Sequence, residues 1–233
     1  MNITIASAFR NASRYIPTYA GQMRGLVGAL HARGDTPRLL LVHGDSTDNT
    51  AELLEALPGA VPCPMHLFEC SHGGRNLGSV DTVERWTQIA TIWNALLARL
   101  DPAADVFLLI ESDLVWQPAA LVRAVDQLGP DVDGVAGMTW FQGRFYEIWG
   151  TKSDGINFTT HPPYHPRWTG HLMRIDSAGS LMCAKAEYAR NARFTNTDGI
   201  IGWCNGMREA GANLWLDPAI DLYHPPYEEL RPL

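Results

Sequence analysis

Apolar and polar residues along the first 140 positions follow two alternating periods. Runs with strand character, "NITIASAF" (2–9), "RLLLVHG" (38–44), "MHLFECS" (65–71), "DVFLLI" (105–110) and "DGVAGMTWF" (133–141), are separated by stretches in which apolar residues return every three or four positions. Those helical stretches cover 16–32, with Pro17 in a first turn that tolerates its missing N–H, 47–57, opening at a Thr or Asp cap, and about 118–128. The clearest helix begins where Asp81 and Glu84 make a capping-box pattern. Behind them Val83, Trp86, Ile89, Ala90, Trp93, Leu96, Leu97 and Leu100 recur at helical spacing. Strands alternating with helices predict an α/β fold with a Rossmann-like, mostly parallel sheet covered on both faces. The alternation in 65–71 suits an outer strand.

The second half reads differently. Residues 142–176 are rich in Gly, Pro, His and aromatics with weak periodicity, and a long irregular segment inside a compact domain is usually functional or mobile. Regular structure returns over 178–194, followed by a helix near 200–210 and the strand "ANLWLDP" (212–218). No linker divides the chain, so 1–233 is read as a single domain.

Composition narrows the class. With 233 residues, 46% hydrophobic and 18% charged, the chain is an ordinary globular protein able to bury a sizeable core. A formal net charge of −7 argues against gripping nucleic acid or anionic membrane through bulk electrostatics. Cys63, Cys70, Cys183 and Cys204 show no C-x-x-C spacing and are expected to be reduced, small hydrophobes. The chain opens on a strand-like segment with no leader pattern, and no apolar run is long enough to cross a membrane. The expectation is a cytoplasmic protein without a membrane anchor.

Ligands on open α/β sheets bind at the carboxyl ends of the strands. Glu111 and Asp113 stand at such an end, as do Arg10 and Asn11 after the first strand and Asp45 after the second. If the strand continues through them, Glu111 and Asp113 face the same side, where two anions near a dry core need a positive partner. A hard divalent cation, Mn²⁺ or Mg²⁺, shared with a substrate's phosphates is one such partner. Arg10, Arg14 and Arg75 are candidates for meeting phosphates. His161, His165 and His171 match no helical metal spacing and read as loop residues. Trp140, Phe145, Tyr146, Trp149 and Trp168 divide between core material and a platform for a sugar or base.

Three segments, in order, resemble nucleotide-sugar glycosyltransferases of the GT-A type (family 2-like): "LLLVHGDSTDNTAELL", "LLIESDLVWQPAALVRAV" and "FTNTDGIIGWCNGMREAGANLWLDPAIDLYH". A fourth, "RFYEIWGTKSDG", resembles the F-Y-D-x-W segment of a fungal mannosyltransferase-like, capsule-associated branch that retains anomeric configuration. The resemblance implies a single GT-A domain with a nucleotide-binding half (1–116) and an acceptor-side half (117–233). Its implied activity is metal-dependent transfer of a sugar from a nucleoside diphosphate donor, UDP first and GDP second, to an acceptor hydroxyl.

Asp113 is then the implied direct ligand of Mn²⁺ or Mg²⁺, with Glu111 acting through the ribose or a metal-bound water and His224 a further ligand to metal or diphosphate. Ala6, Ser7, Phe9 and Arg10 would wall the nucleotide pocket, Asp48 would brace its turn, and Asp45, Arg75 and Ser112 complete the donor site. Asp198 would be the catalytic base in an inverting enzyme, or position the acceptor in a retaining one. The sequence departs from the family where His43-Gly44-Asp45 replaces two adjacent aspartates, and E-S-D replaces D-x-D. Acceptors left open are a glycan, a small molecule, or the hydroxymethyl group of a modified pyrimidine in phage-type DNA, contacted by Lys185, Arg190 and Arg193. The rival readings are a nucleotidyltransferase on a similar sheet, disfavoured by the lack of glycine in "ASAFRNASRY", and a non-catalytic sugar- or nucleotide-binding module.

Overall fold

The computed structural model describes residues 1–73, 75, 77 and 82–225. The first half supplies β1 (Asn2–Phe9), α1 (Ile16–Ala32), β2 (Thr36–His43), α2 (Thr50–Glu55), β3 (Met65–Glu69), α3 (Val83–Leu97) and β4 (Val106–Ile110). Next come β5 (Val115–Trp116), α4 (Pro118–Asp126), β6 (Gly134–Phe141) and β7 (Arg144–Phe145). The chain then forms the small strands β8 (Lys152–Ser153), β9 (Ile156–Asn157) and β10 (Met173–Arg174). It closes with β11 (Leu181–Lys185), α5 (Ala186–Asn191), α6 (Ile200–Glu209) and β12 (Leu214–Tyr223).

One sheet runs through both halves, in the order β10-β12-β6-β11-β4-β1-β2-β3, with β5 on β12 and β7 on β6. Strands β3, β2, β1 and β4 are parallel, as their buried apolar runs require, and β3 lies at the edge. Between β4 and β6, β11 is inserted antiparallel, β12 returns parallel to β6, and the short β5, β7 and β10 pair antiparallel at that side. Period-two alternation sends successive side chains to opposite faces. Ile3, Ile5, Leu39, Leu41, Leu108 and Ile110 meet Met23, Leu26 and Leu30 of α1 and Leu121 and Val125 of α4. Ala6, Leu40, Val42, Phe107 and Leu109 meet Trp93 and Leu96 of α3 and Trp203 and Met207 of α6.

Several boundaries differ from the sequence reading for identifiable reasons. The helix expected from 47 begins at Thr50, because Asn11 Oδ1 takes the Thr47 N–H (2.7 Å) and Asp48 is spent on Thr50. The cap of α3 is Thr82, whose Oγ1 accepts the Arg85 N–H at 3.3 Å; Asp81 lies outside the described residues. The last strand continues past Pro218 to Tyr223. A register shift between Leu216 and Asp221 absorbs the proline, which has no N–H for the ladder. The irregular segment packs through a ring cluster, with Phe145 buried against Trp140, Phe158 and Tyr164, and Trp168 against Phe158 and Tyr164. His165 stacks on Phe158 at 5.0 Å, so it is a packed loop residue. All four cysteines are unpaired, Cys183 and Cys204 fully buried. Among the described residues no helix is long and apolar enough to cross a membrane.

The β6–β12 pairing leaves no room for a side chain at position 137. A Cβ there would stand 2.6 Å from Ile220 Cγ2 and 2.7 Å from the Ile220 carbonyl oxygen. Gly137→Ala is therefore expected to cost about 1–3 kcal/mol, seen as a Tm lower by about 3–10 °C in a thermal melt.

Candidate active site

The carboxyl ends of β1, β2, β3, β4, β6 and β12, the amino end of the reversed β11, and the first turns of α3 and α6 share one edge of the molecule. Strand β4 stops at Ile110. The Glu111 N–H still reaches the Ser180 carbonyl (3.0 Å), and the chain then turns at Ser112 and Asp113. The two carboxylates therefore project from a turn, and the strand alternation expected to align them ends one residue earlier. They converge nonetheless, and two partners that are distant in sequence join them.

His224, directly after β12, places Nε2 3.3 Å from Asp113 Oδ2 and Nδ1 3.2 Å from the Pro225 carbonyl. The Phe141 and Tyr146 rings flank its imidazole at 5.7 and 5.0 Å. The hydrogen bond to Asp113 raises the His224 pKa above its ordinary value against the pull of burial, helped by the charges of Asp113 and Glu147.

The second partner is Glu147, to which the sequence reading gave no role although it stands at the acidic position of "FYEIW". Ser180 Oγ donates to Glu147 Oε1 while the Ser180 backbone holds φ at +55°, a conformation rare for a residue with a Cβ. A Cβ on Gly179 would land on Glu147 Oε2, so glycine is required there. The "AGS" of 178–180 is thus a cradle for one carboxylate. Glu147 was missed because its partners lie 33 residues away, and the motif was read for stereochemistry instead of for its acid.

Burial, then the charges of Glu147 and Asp113, hold the Glu111 carboxyl well above the usual range; Ser180 and Arg85 act in the opposite direction. Burial also raises Glu147, as does Asp113, while the Ser180 hydroxyl and His224 oppose. Arg85, in the first turn of α3, is a second cation the sequence reading did not place here. Among the described residues, His224 in contact with Asp113 and Arg85 at longer range from Glu111 are positive groups that face the acidic pair.

The other expected site residues separate into two groups. Ala6, Ser7 and Phe9 are buried in the core: Ser7 Oγ donates to the Ile110 carbonyl (2.7 Å) and accepts from Tyr19 Oη (3.0 Å), and Phe9 packs edge-on to Tyr19. Their side chains cannot wall a pocket, because alternation turns Ser7 and Phe9 into the α1 face. Arg10, one residue later, does reach the edge, where its guanidinium donates to the Arg75 carbonyl (2.8 Å) and lies 3.2 Å from His72 Nε2. The Arg75 side chain is largely exposed, 3.5 Å from Glu84. Asp45 accepts from Ser71 Oγ (2.6 Å) and the His72 N–H (2.7 Å), tying the end of β2 to that of β3. Asp48 accepts from Thr50 and Ser13. Those hydrogen bonds outweigh its burial and lower its pKa, as a bracing residue requires.

Asp198 is exposed at the start of α6, accepting from Thr197 Oγ1 at 3.0 Å, next to a Gly199 on which Trp86 of α3 packs. Lys185, Arg190 and Arg193 lie at the opposite edge. Lys185 pairs with Val106 at the beginning of β4 and is bonded to Asp133 at 2.6 Å, while Arg190 donates to the Asp101 carbonyl. Lys185 and Arg190 thus stand away from the carboxylates.

No known family profile matches this chain, and neither does any curated protein. Solved structures do. The chain is similar to S. aureus TarS 1–349 (TM-score 0.58, 13% identity), covering 96% of this chain and 60% of that one. It is similar to the same protein in complex with UDP (TM-score 0.53, 12% identity; 99% and 62% covered). It also resembles the T. maritima inositol-1-phosphate CTP transferase (TM-score 0.53, 10% identity; 99% and 91% covered). The chain thus spans about three fifths of each of these two TarS structures. At these identities the likeness establishes the fold, a GT-A-like α/β domain with a mostly parallel sheet.

The raised pKa values fix the sign of a pH dependence. Carboxyls held above their unfolded values penalise the fold as they ionise on raising pH. The His224 contribution, complete below about 6.5, is lost as pH rises through its raised value. Both effects act in the same direction, so Tm of the ligand-free protein should fall as pH rises above the ordinary carboxyl value of 4.5 and, further, above the ordinary imidazole value of 6.5. Glu147→Gln keeps the Ser180 bond and removes one anion. It should flatten that slope and raise Tm at pH 8 by about 2–4 °C, read by melts across the range.

Proposed function

We propose that the chain transfers a sugar from a nucleoside diphosphate donor, UDP first and GDP second, to an acceptor hydroxyl, with Mn²⁺ or Mg²⁺ as cofactor. The observation that supports this most is the contact of His224 with Asp113, which brings the last strand's histidine to the acidic turn of β4 at the ligand-binding edge. Asp113, helped by Glu111, would hold the cation, which offsets charge on the departing diphosphate. Among the described residues no three His, Cys, Asp or Glu side chains are arranged to hold a metal ion by themselves. That fits a cation whose remaining ligands are waters and the donor's own phosphates.

His224, whose bond to Asp113 favours its protonated form, is suited to donating to a diphosphate oxygen. Ligation of a cation through Nε2 would require the neutral ring. Asp45 has each carboxylate oxygen engaged, one by Ser71 and one by His72, and would shape the donor site through that brace. Asp198 lies on the acceptor side as the general base of an inverting reaction or as an acceptor-positioning group in a retaining one.

Nucleotidyl transfer is the second reading, because the CTP transferase matches as well as the UDP complex, both at TM-score 0.53. The residues after β1 weigh against it: "RNASRY" provides no glycine-rich phosphate loop. A screen of UDP, GDP and CDP by thermal shift, with Mn²⁺ or with EDTA, tests the proposal. One diphosphate should raise Tm by several degrees only with Mn²⁺, and Asp113→Ala should abolish the shift. Slow Mn²⁺-dependent release of UDP from a UDP-sugar should fall by about 100-fold or more in the same variant. Equal shifts in EDTA, or turnover of nucleoside triphosphates instead, would overturn it.

A further inference from the structure

The turn that carries Glu147 presents two aromatic rings to solvent. Tyr146 is 39% exposed and Trp149 is 73% exposed, the most exposed large apolar side chain among the described residues. Water contact over that much indole surface is unfavourable, and an exposed aromatic beside fixed polar groups is a recurrent mark of a binding surface. The backbone beneath is held firmly. Ile148 N–H reaches the Tyr146 carbonyl (2.9 Å), Thr151 N–H the Glu147 carbonyl (3.0 Å), and Asn157 Nδ2 the Ile148 carbonyl (3.0 Å). Glu147 itself is clamped by Ser180 and Gly179, so its carboxylate and the Trp149 backbone form one rigid unit.

We propose that this turn is the acceptor subsite and that its occupant is a neutral pyranose ring. Trp149 stacks on the ring's C–H face and Glu147 accepts a hydrogen bond from one of its hydroxyls. The inference rests on the transferase reading above and names its acceptor class. Hydrogen-bond complementarity selects the ligand. The Glu147 carboxyl, held by Ser180, offers acceptor oxygens beside an exposed indole, so the turn calls for an occupant that combines hydroxyl donors with an apolar face. A sugar combines hydroxyl donors with an apolar face of about the area of an indole six-membered ring. Lys185 and Arg190, which the sequence offers as contacts to a nucleic-acid acceptor, lie at the other edge.

The test uses the full chain, with UDP and Mn²⁺ present, and four neutral probes: maltotetraose, cellotetraose, mannotetraose and chitotetraose. Binding is read by saturation-transfer NMR and calorimetry. At least one should bind with transfer concentrated on ring C–H protons. Trp149→Ala, a surface change, should weaken it by about tenfold, and Glu147→Gln should weaken it less. Absence of binding by all four, or equal binding by Trp149→Ala, overturns the subsite. So does a wild-type dimer that becomes monomeric on Trp149→Ala, since a second copy would then be the occupant. UDP and Mn²⁺ are titrated separately on the same samples. Donor binding without sugar binding defeats the subsite alone, whereas sugar binding lost in Trp149→Ala without any donor binding supports the subsite and defeats the transferase reading.

Discussion

Three carboxylates, Glu111, Asp113 and Glu147, come together beyond the carboxyl end of β4 and the amino end of β11, and among the described residues His224 is in direct contact with one of them. Like charges gathered away from water repel one another. A fold left to relax would splay them into solvent. Here the backbone prevents that: β11 pairs with β4 up to Ile110, the Ser180 carbonyl takes the next N–H, and the Ser180 hydroxyl fixes Glu147. The antiparallel strand that interrupts an otherwise parallel run is therefore also the strand that assembles the site.

That division explains what the sequence disclosed and what it hid. The α/β alternation, the edge position of β3 and the packed α3 were legible because period and burial are local properties. The acidic turn after β4 was legible for the same reason. Glu147 was not, since its meaning depends on Gly179 and Ser180, which a reading along the chain has no cause to set beside it. Asp45 shows the converse. It was placed correctly at a strand end, but its carboxylate is occupied by Ser71 and His72, which are 26 and 27 residues away. The alternation that buries Ile3 and Ile5 buries the Ser7 and Phe9 side chains as well.

The opposite edge clarifies the charge distribution. A reversed strand has its carboxyl end where its neighbours have their amino ends, so Lys185 and the helix behind it belong to the far side. There Lys185 neutralises the buried Asp133, whose other oxygen accepts the Asn213 N–H at 2.8 Å. A basic cluster that looks like a partner-binding feature in sequence thus holds the loop before β6 to the start of β12.

The gathered carboxylates also bear on order of binding. A nucleoside diphosphate arriving alone brings further negative charge to Glu111, Asp113 and Glu147. A divalent cation arriving alone meets carboxylates that do not converge into a closed set of ligands. Each lacks what the other supplies: the cation removes the repulsion, and the diphosphate provides oxygens the protein leaves unfilled. On the proposed function, donor and cation are therefore expected to enter as one unit, and the strength of that coupling is set by how rigidly Ser180 and Gly179 keep the third carboxylate from moving away.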